Sequence, residues 1–217
     1  MLFRSPKLQI AHKSSYVYGN VVEADTDKPL KASVSLIDLN TNEASQVVHS
    51  DSVTGNYLIV LTEGSDYGLF AEKQGYLYKS ENFSLDKKLL NPVIVNFKLE
   101  RVKVGSSVVL NNIFFAFDSY SLTPQSKTEL NKVLSFLNAN KSIKIEIAGY
   151  TDNLGSEKYN MVLSRNRAKA VYDYLVEGGV PKAKLSFKGY GASNFLNSND
   201  SEEGRIKNRR IEFKISK

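Results

Sequence analysis

The stretch Gly149–Arg167, GYTDNLGSEKYNMVLSRNR, decides the fold of the C-terminal half of the chain. Directly before it, isoleucines alternate with other residues over positions 143–148, which is the period-2 pattern of a half-buried β-strand. A loop bounded by glycines follows. A helix is then predicted from about Ser156 to Val176, because two glycines and a proline come soon after it. The sequence therefore predicts a strand, a loop and a long helix in succession.

Two oppositely charged side chains belong to this unit. Asp152 is in the loop at the end of the predicted strand, and Arg167 follows on the helix. Steps of three and four residues place on one helical face Asn160, Leu163, Arg167, Val171 and Tyr174. An arginine on such a mostly apolar face requires a partner. The acid and the base are therefore expected to form a site that can hold a zwitterion, with one group for its ammonium and one for its carboxylate.

A plainer interpretation stays open from the pattern alone. An aspartate in a turn usually accepts hydrogen bonds from nearby backbone NH groups, and Asn153 and Gly155 beside Asp152 are typical turn residues. A lone arginine on a helix usually faces solvent, as we expect for Arg165. The spacing of the charged residues does not by itself separate a turn and a solvated helix from a ligand site.

Several further segments support the same division into strands and helices. Val108–Phe117 is apolar and aromatic enough to predict a central strand. Thr123 and Pro124 predict a helix N-cap followed by proline at the first helical position. The amphipathic helix after them would cover the sheet with Leu130, Val133, Leu134 and Leu137. Two more strands are predicted, at Leu185–Gly189 and Arg209–Ile215. The order β-α-β-α-β-β favours an α+β domain, a small mixed sheet with its helices on one face.

Five separated motifs occur in the order that is typical of one protein family. They are FFAFDSYSLTP from residue 114, IEIAGYTDNLGSEKYN from 145, LSRNRAKAVYDYL from 163, GVPKAKLSFKGYG from 179 and EEGRIKNRRIEF from 202. In these motifs, residues 108–217 resemble the OmpA-like peptidoglycan-binding domain. The resemblance implies the OmpA-like α+β fold and noncovalent binding of the peptide stem of peptidoglycan.

The resemblance also implies a set of ligand-binding residues at the matching motif positions. They are Asp118, Thr151, Asp152, Asn160, Leu163, Arg167 and Arg209. Many stems carry meso-diaminopimelate, whose side chain ends in an ammonium and a carboxylate on one carbon. Arg167 can bind that carboxylate through two parallel NH donors, and Asp152 can accept a hydrogen bond from the ammonium. Tyr150 stands where the family usually has histidine, and its flat ring with a polar tip is expected to keep the packing.

The N-terminal half is predicted to be an all-β domain over residues 16–100. Strands are expected at Tyr16–Val22, Ala32–Leu39, Gln46–Ser50 and Tyr57–Leu61, with turn residues between them. The segments GNVVEADTDKPLKASVSL, DSVTGNYLIVL and YGLFAEKQGYLYKS resemble the carboxypeptidase regulatory-like domain, a small prealbumin-like sandwich. His49 has no second histidine, cysteine or acidic cluster at metal-ligand spacing, so a spacer or docking module is expected. Residues 1–15 are interpreted as a leader segment and 101–107 as a linker.

Composition excludes several classes of chemistry. The 217 residues include no cysteine, and both histidines, His12 and His49, precede the OmpA-like region, so we expect no enzyme activity, metal site or cofactor there. The net charge of +6 comes from basic residues spread along the chain, which argues against a nucleic-acid partner. No apolar run approaches the ~20 residues that span a bilayer. No secretory signal is visible, so a periplasmic location requires an export segment upstream.

The sequence as a whole predicts a non-catalytic anchor of the cell envelope. The C-terminal domain would bind the diaminopimelate-containing stem, and the chain would attach a larger outer-membrane-associated assembly to the cell wall in the periplasm. The pair of domains resembles type IX secretion envelope proteins of the PorE type in Bacteroidota, which implies protein partners in an outer-membrane complex. Two alternatives stay open: a torque anchor like that of a flagellar stator, and an accessory subunit of a carboxypeptidase.

Overall fold

The computed structural model describes residues 15–61, 65–85, 92–115 and 119–216. The N-terminal half contains the strands β1 (Ser15–Glu23), β2 (Ser33–Asp38), β3 (Glu43–His49), β4 (Asn56–Leu61), β5 (Asp66–Glu72), β6 (Lys79–Ser84), β7 (Val93–Ile94) and β8 (Phe97–Leu99). The C-terminal half contains β9 (Ser107–Val109), α1 (Ser126–Ala139), β10 (Lys144–Gly149), α2 (Glu157–Glu177), β11 (Leu185–Gly189), α3 (Glu202–Asn208) and β12 (Ile211–Ser216).

The described residues of the N-terminal half form two four-stranded sheets. In the first, β1 pairs antiparallel with β4 and parallel with β7 and β8. The second is antiparallel in the order β3-β2-β5-β6. Alternate residues of a strand point to the same face, so Val17 of β1 and Leu69 of β5 lie in one core shared by both sheets. The four strands predicted here are all present, as β1 to β4.

One mixed sheet and two long helices form the C-terminal half. The strand order is β11-β10-β12-β9; β10 is parallel to β11, and the other pairs are antiparallel. Ile145 and Ile147 of β10 are buried in one core with Leu130 of α1 and Val171 of α2, so both helices cover the face that carries these isoleucines. The predicted mixed sheet with its covering helices is confirmed.

The predicted central strand Val108–Phe117 is wrong over residues 108–115; residues 116 and 117 lie outside the described part of the chain. The observed strand β9 ends at Val109 and lies at the edge of the sheet. A turn at Asn111 and Asn112 interrupts it. The turn is stabilised because the backbone NH and the side-chain amide of Asn112 both donate hydrogen bonds to Glu129.

The predicted start of the first helix is also wrong. Helix α1 begins at Ser126 rather than at Pro124, with Gln125 as an N-cap that makes no side-chain hydrogen bond to the helix. The Ser126 hydroxyl instead accepts from the backbone NH of Phe114 at 2.9 Å. It also donates to the carbonyl oxygen of Phe114 at 3.1 Å, so the first turn of the helix is tied to the segment after β9.

Helix α3 was not predicted, and it shortens the last strand. The hydroxyl of Ser201 caps it by accepting from the backbone NH of Gly204 at 3.1 Å. Arg209 is therefore at the C-terminal end of a helix rather than at the start of a strand, and β12 begins at Ile211.

The two halves of the chain share a continuous core. The buried cluster of α1, α2 and the C-terminal sheet also includes four side chains from the N-terminal half: Ile37, Phe70, Leu77 and Tyr78. Polar contacts join the same surfaces. Lys132 of α1 pairs with Glu72 of β5, and the Thr128 hydroxyl donates to the side-chain oxygen of Asn42 at 2.8 Å.

The connecting segment 101–107 makes backbone hydrogen bonds to both halves. The NH of Val102 donates to the carbonyl oxygen of Gly75 at 3.0 Å, and the NH of Gly105 donates to that of Ile215 at 2.9 Å. The guanidinium of Arg101 pairs with Glu23 of β1 at 2.7 Å. These bonds limit how far the segment can move relative to either half.

A buried carboxylate lies at the junction between the halves. Glu129 of α1 is fully buried and accepts hydrogen bonds from the hydroxyls of Tyr78 at 2.9 Å and Ser80 at 3.0 Å. It also accepts from the side-chain amide of Asn112 at 2.7 Å. Burial raises the pKa of Glu129 to about 7, although the hydrogen bonds from Asn112, Tyr78 and Ser80 favour the ionised form and oppose the rise.

This raised pKa predicts a pH-dependent stability. The folded chain binds a proton at Glu129 more tightly than the unfolded chain, whose carboxyl titrates near 4.5. The stabilisation is therefore fully present below that value and is lost as the pH rises through about 7. In wild type, the titration of Glu129 should lower the free energy of unfolding by on the order of 2–3 kcal/mol between about pH 5 and about pH 8. Glutamine does not titrate, so we expect this part of the pH dependence to be absent from Glu129→Gln.

Denaturant unfolding of both proteins at the two pH values measures this difference. The matched control is Glu43→Gln, which changes an exposed carboxylate on β3 and should keep the wild-type pH dependence. Parallel pH profiles for wild type and Glu129→Gln would contradict the assignment of the titration to Glu129.

Helix α2 lies unusually close to the C-terminal sheet. A Cβ added at Gly149, at the end of β10, would be 2.2 Å from the carbonyl oxygen of Ser164. A Cβ added at Gly189 of β11 would be 2.4 Å from the backbone nitrogen of Arg165. Both distances are below contact, so only glycine allows the helix backbone to approach these two strands.

We expect Gly149→Ala to displace α2 and to destabilise the protein by about 1–3 kcal/mol, because the clash is with backbone that cannot rotate away. Thermal unfolding measures the effect. Gly178→Ala is the control, since its Cβ would meet only the end of the flexible Leu134 side chain, at 2.8 Å. Equal melting temperatures for the two variants would show that the approach of α2 is not sterically constrained at Gly149.

Candidate functional site

A loop and a helix hold the predicted site at the end of β10. Ser156 caps α2, and its hydroxyl accepts from the backbone NH of Tyr159 at 3.2 Å. About two turns further along, the Ser164 hydroxyl accepts from the backbone NH of Gly191, after β11, at 2.9 Å. The helix is thus fixed both to its own preceding loop and to the neighbouring strand end, which sets the position of Arg167.

Asp152 serves the turn and an ion pair at the same time. It is 6% exposed, and its Oδ1 accepts from the backbone NH of Leu154 at 3.0 Å. Its Oδ2 accepts from Nη1 of Arg209 at 2.7 Å. The turn-capping interpretation therefore describes one oxygen of this carboxylate, and the other oxygen belongs to an ion pair within the chain.

Arg209 connects Asp152 to a second carboxylate on α3. Its Nη2 donates to Oε1 of Glu202 at 2.6 Å, and Glu202 also accepts from Arg205. The hydrogen bond from Arg209, followed by that from Arg205, holds the pKa of Glu202 below its ordinary value. Glu202 was not among the predicted site residues, because α3, the helix that carries it, was not predicted.

Arg167 is buried beside the segment that follows β9. Its Nε donates to the carbonyl oxygen of Ser119 at 2.9 Å, and its guanidinium carbon lies 4.9 Å from the ring centroid of Phe115. The side chain is 8% exposed. By contrast, Arg165 is exposed as predicted, with its guanidinium over the ring of Phe187.

Two further predicted residues hold the loop in shape. The Thr151 hydroxyl donates to the carbonyl oxygen of Asp152 at 2.9 Å. The side-chain amide of Asn160 donates to the carbonyl oxygen of Leu154 at 2.9 Å. Both residues are buried, and Leu163 is half-buried on the same helix as Asn160. Asp118 lies outside the described residues.

The structure brings six of the seven predicted residues to one cleft of about 1210 Å³. They are Thr151, Asp152, Asn160, Leu163, Arg167 and Arg209. Residues that the sequence did not indicate also line this cleft, among them Glu202 of α3 and the β6 segment Lys79–Asn82. No local pattern could have placed β6 here, because it comes from the other half of the chain and arrives only through tertiary packing.

Tyr150 has the packing role that was expected for it. Its ring is buried and stacks on Tyr190 with centroids 5.1 Å apart and planes inclined by 14°. The guanidinium carbon of Arg210 lies 3.9 Å from the centroid of the Tyr150 ring, and Lys214 donates to the Tyr150 hydroxyl at 2.6 Å. The tyrosine therefore supports the strand end from which the Asp152 loop leaves.

Two further searches concern only the part of the chain that the structure describes. In it, no group of three or more His, Cys, Asp or Glu side chains is arranged to hold a metal ion. None of its helices is long and apolar enough to cross a membrane.

Known proteins match about half of this chain. The chain is 44% identical over 104 residues to the peptidoglycan-binding protein ArfA of Mycobacterium tuberculosis, a match that covers 48% of this chain and 32% of ArfA. It is 37% identical over 125 residues to outer membrane protein A of Bordetella avium, covering 57% of this chain and 64% of that protein. The chain thus spans about a third to two thirds of the length of these relatives.

Solved structures also resemble part of this chain. The peptidoglycan-associated lipoprotein of Burkholderia pseudomallei aligns with 48% of this chain and 86% of its own, with a TM-score of 0.43 and 29% identity. The sequence model of the OmpA family matches residues 114–209, which include the Asp152 loop, α2 and Arg209. Within this chain, residues 114–209 are therefore assigned to the OmpA family.

Proposed function

We propose that the cleft binds the peptide stem of peptidoglycan noncovalently and so attaches the chain to the cell wall. The observation that carries this proposal is the convergence of six motif residues on one cleft within an OmpA-family segment. ArfA, which is 44% identical to this chain over 104 residues, is itself named as a peptidoglycan-binding protein. The same convergence supports the predicted roles of the individual residues.

The charges that line the cleft suit a zwitterionic group. Around the motif residues, Asp152 and Glu202 contribute carboxylates, and Arg167 and Arg209 contribute guanidinium groups. The lining of the cleft as a whole includes five cationic and three anionic side chains. A group with one ammonium and one carboxylate adds no net charge, and side chains of the opposite sign are present for each of its ends. The side chain of meso-diaminopimelate has this pair of groups on one carbon.

Arg167 is the residue that we propose reads the ligand carboxylate. Its Nε bond to Ser119 and its position over Phe115 fix the guanidinium plane, which reduces the entropy lost when a ligand binds. A planar guanidinium can offer two parallel NH donors to a carboxylate, whereas a lysine ammonium cannot. Asp152, held in place by Arg209 and by the NH of Leu154, would accept from the ammonium.

This chemistry is binding rather than catalysis. The OmpA-family segment contains no histidine or cysteine, so it lacks the usual nucleophile, general base or zinc ligand. Arg209 donates directly to Asp152, so this carboxylate is already part of an ion pair. Each charged hydrogen bond to the ligand contributes roughly 1.5–3 kcal/mol before ordering costs. Monovalent affinity is then modest, and many copies on one polymer would provide firm attachment.

The wider role that we propose is that of an envelope anchor. The chain would connect a larger outer-membrane-associated assembly, such as a type IX secretion system, to the wall, with the N-terminal sheets as a spacer or docking module. A stator-type anchor would differ by requiring a transmembrane helix elsewhere in the full-length protein. A carboxypeptidase accessory subunit would differ by failing to bind isolated wall.

We expect the chain to co-sediment with purified peptidoglycan sacculi, and Arg167→Ala to abolish detectable binding of a diaminopimelate-containing stem peptide. Losing one buried charged contact should cost on the order of 2–5 kcal/mol. Arg167→Lys should weaken binding clearly, because it keeps the charge but loses the planar geometry. Titration calorimetry with the stem peptide measures all three affinities.

The matched control is Arg165→Ala, which removes the same charge two residues away, at an exposed position of the same helix. It should bind the stem peptide like wild type. Equal affinity of Arg167→Ala and Arg165→Ala would exclude Arg167 from the ligand site, and failure of wild type to pellet with sacculi would contradict the proposed function as a whole.

A separate experiment distinguishes recognition of the zwitterion from attraction of a +6 chain to an anionic wall. Stems that carry lysine in place of diaminopimelate lack the side-chain carboxylate, so Arg167 would lose its ligand partner and retention should fall. High salt should weaken nonspecific adhesion more than binding in the cleft, because it screens exposed charges more effectively than buried ones. Equal retention on both wall types, lost together at high salt, would mean that the chain only adheres to a polyanion.

A further inference from the structure

The cleft has a second wall, which comes from outside the OmpA-family segment. Lys79, Ser80, Glu81 and Asn82 of β6 line it together with Asp152 and Arg167. Among the described residues, strand β6 is at the edge of its sheet and pairs with β5 alone. Its other edge is therefore available to approach the C-terminal half and to form part of the cleft.

Specific hydrogen bonds fix this second wall to the C-terminal half. The side-chain amide of Asn82 donates to the carbonyl oxygen of Asn111 at 2.7 Å, and that of Asn111 donates to the carbonyl oxygen of Ser80 at 2.5 Å. The Ser80 hydroxyl donates to the buried Glu129 at 3.0 Å. These two hydrogen bonds of side-chain amides and the contact with Glu129 mean that the wall is already in place before a ligand arrives.

The size of the cleft exceeds what the end of one amino-acid side chain needs. Ligand pockets that enclose a drug-sized molecule have volumes of roughly 300–1,000 Å³. The cleft holds about 1210 Å³ and remains continuous from Asp152 to β6. A diaminopimelate side chain bound between Asp152 and Arg167 would leave much of this space, including the part along β6, for another portion of the same ligand.

The second wall is polar and has groups of both signs. Lys79 pairs with Glu100 at 3.2 Å, with both side chains about one-third exposed. Glu81 is exposed, but partial desolvation of its carboxyl by neighbouring protein atoms raises its pKa, and the charges of Lys207 on α3 and of Lys79 oppose the rise. Aromatic rings of Phe114, Phe115 and Tyr159 also line the cleft.

This combination is suited to a neutral polyhydroxylated group. A carboxylate accepts from hydroxyls, an ammonium donates to hydroxyl and acetamido oxygens, and an amide does both. Aromatic rings supply apolar area against the less polar face of a ring-shaped ligand. A second zwitterion would fit less well, because the charges of β6 already have partners. Lys79 pairs with Glu100, and Glu81 is attracted by the charge of Lys207.

We propose that Lys79 and Glu81 of β6 form a second subsite of the cleft, which binds the glycan sugar attached to the stem. This subsite rests on the proposed function, since it requires the stem to be bound between Asp152 and Arg167. The N-terminal half then takes part in ligand binding directly, and a ligand that includes the sugar binds more tightly than the stem alone.

The test compares three soluble ligands by titration calorimetry on the full chain: the stem tripeptide, a longer stem without sugar, and the tripeptide attached to its disaccharide. The double variant Lys79→Ala/Glu81→Ala keeps the net charge unchanged. Its control, Lys98→Ala/Glu43→Ala, removes the same two charge types at exposed positions of β8 and β3. Arg167→Ala reports separately on the stem subsite.

For wild type and the control we expect the disaccharide ligand to bind about tenfold more tightly than the tripeptide, the effect of one or two polar contacts. The double variant should lose this gain and keep the tripeptide affinity within about twofold, which also shows that it is folded. Arg167→Ala should no longer bind either the tripeptide or the tripeptide attached to its disaccharide.

The inference is overturned, with the proposed function intact, if the double variant keeps the gain from the disaccharide or if wild type shows none. It is also overturned if the longer stem without sugar gives the same gain, since the subsite would then bind peptide. If wild type binds none of the three ligands, the proposed function fails and the subsite fails with it.

Discussion

A carboxylate that is buried between two parts of a chain requires hydrogen-bond donors around it, and Glu129 takes them from both halves. Tyr78 and Ser80 come from the N-terminal half, and Asn112 comes from the segment after β9. If the halves moved apart, these groups would lose their partners in a place that water reaches poorly, which costs more than the bonds contribute when made. The relative position of the two halves, and with it the distance from β6 to the Asp152 loop, depends on this constraint.

The charged groups of the cleft are likewise held by more than one partner each. Asp152 uses one oxygen to stabilise its own turn and the other to bind Arg209, which in turn binds Glu202. The loop is therefore rigid before any ligand is present, and less conformational entropy is lost on binding. The close approach of α2 to the sheet at Gly149 and Gly189 adds to this rigidity, because it leaves the helix little room to shift.

Much of the C-terminal half could be predicted because its signals are local. Alternation before Gly149, a serine cap and terminal glycines place β10 and α2 to within a residue or two of the observed bounds. The errors occurred where a tertiary contact outweighs a local preference. Thr123 and Pro124 have the composition of a helix start, but α1 begins later, where Ser126 binds Phe114. The apolar run from Val108 is interrupted because Asn112 turns toward Glu129.

The sequence by itself determined which residues are available for the site, since motif positions and helix phase put Arg167 on the buried face and Arg165 on the exposed one. Only the tertiary structure decided which partners these residues have. Arg209 pairs with Asp152 across 57 positions of the chain, and β6 reaches the cleft from the other half. Periodicity reports the environment of a residue along its own helix or strand, whereas contacts between distant segments depend on the packing of the whole chain.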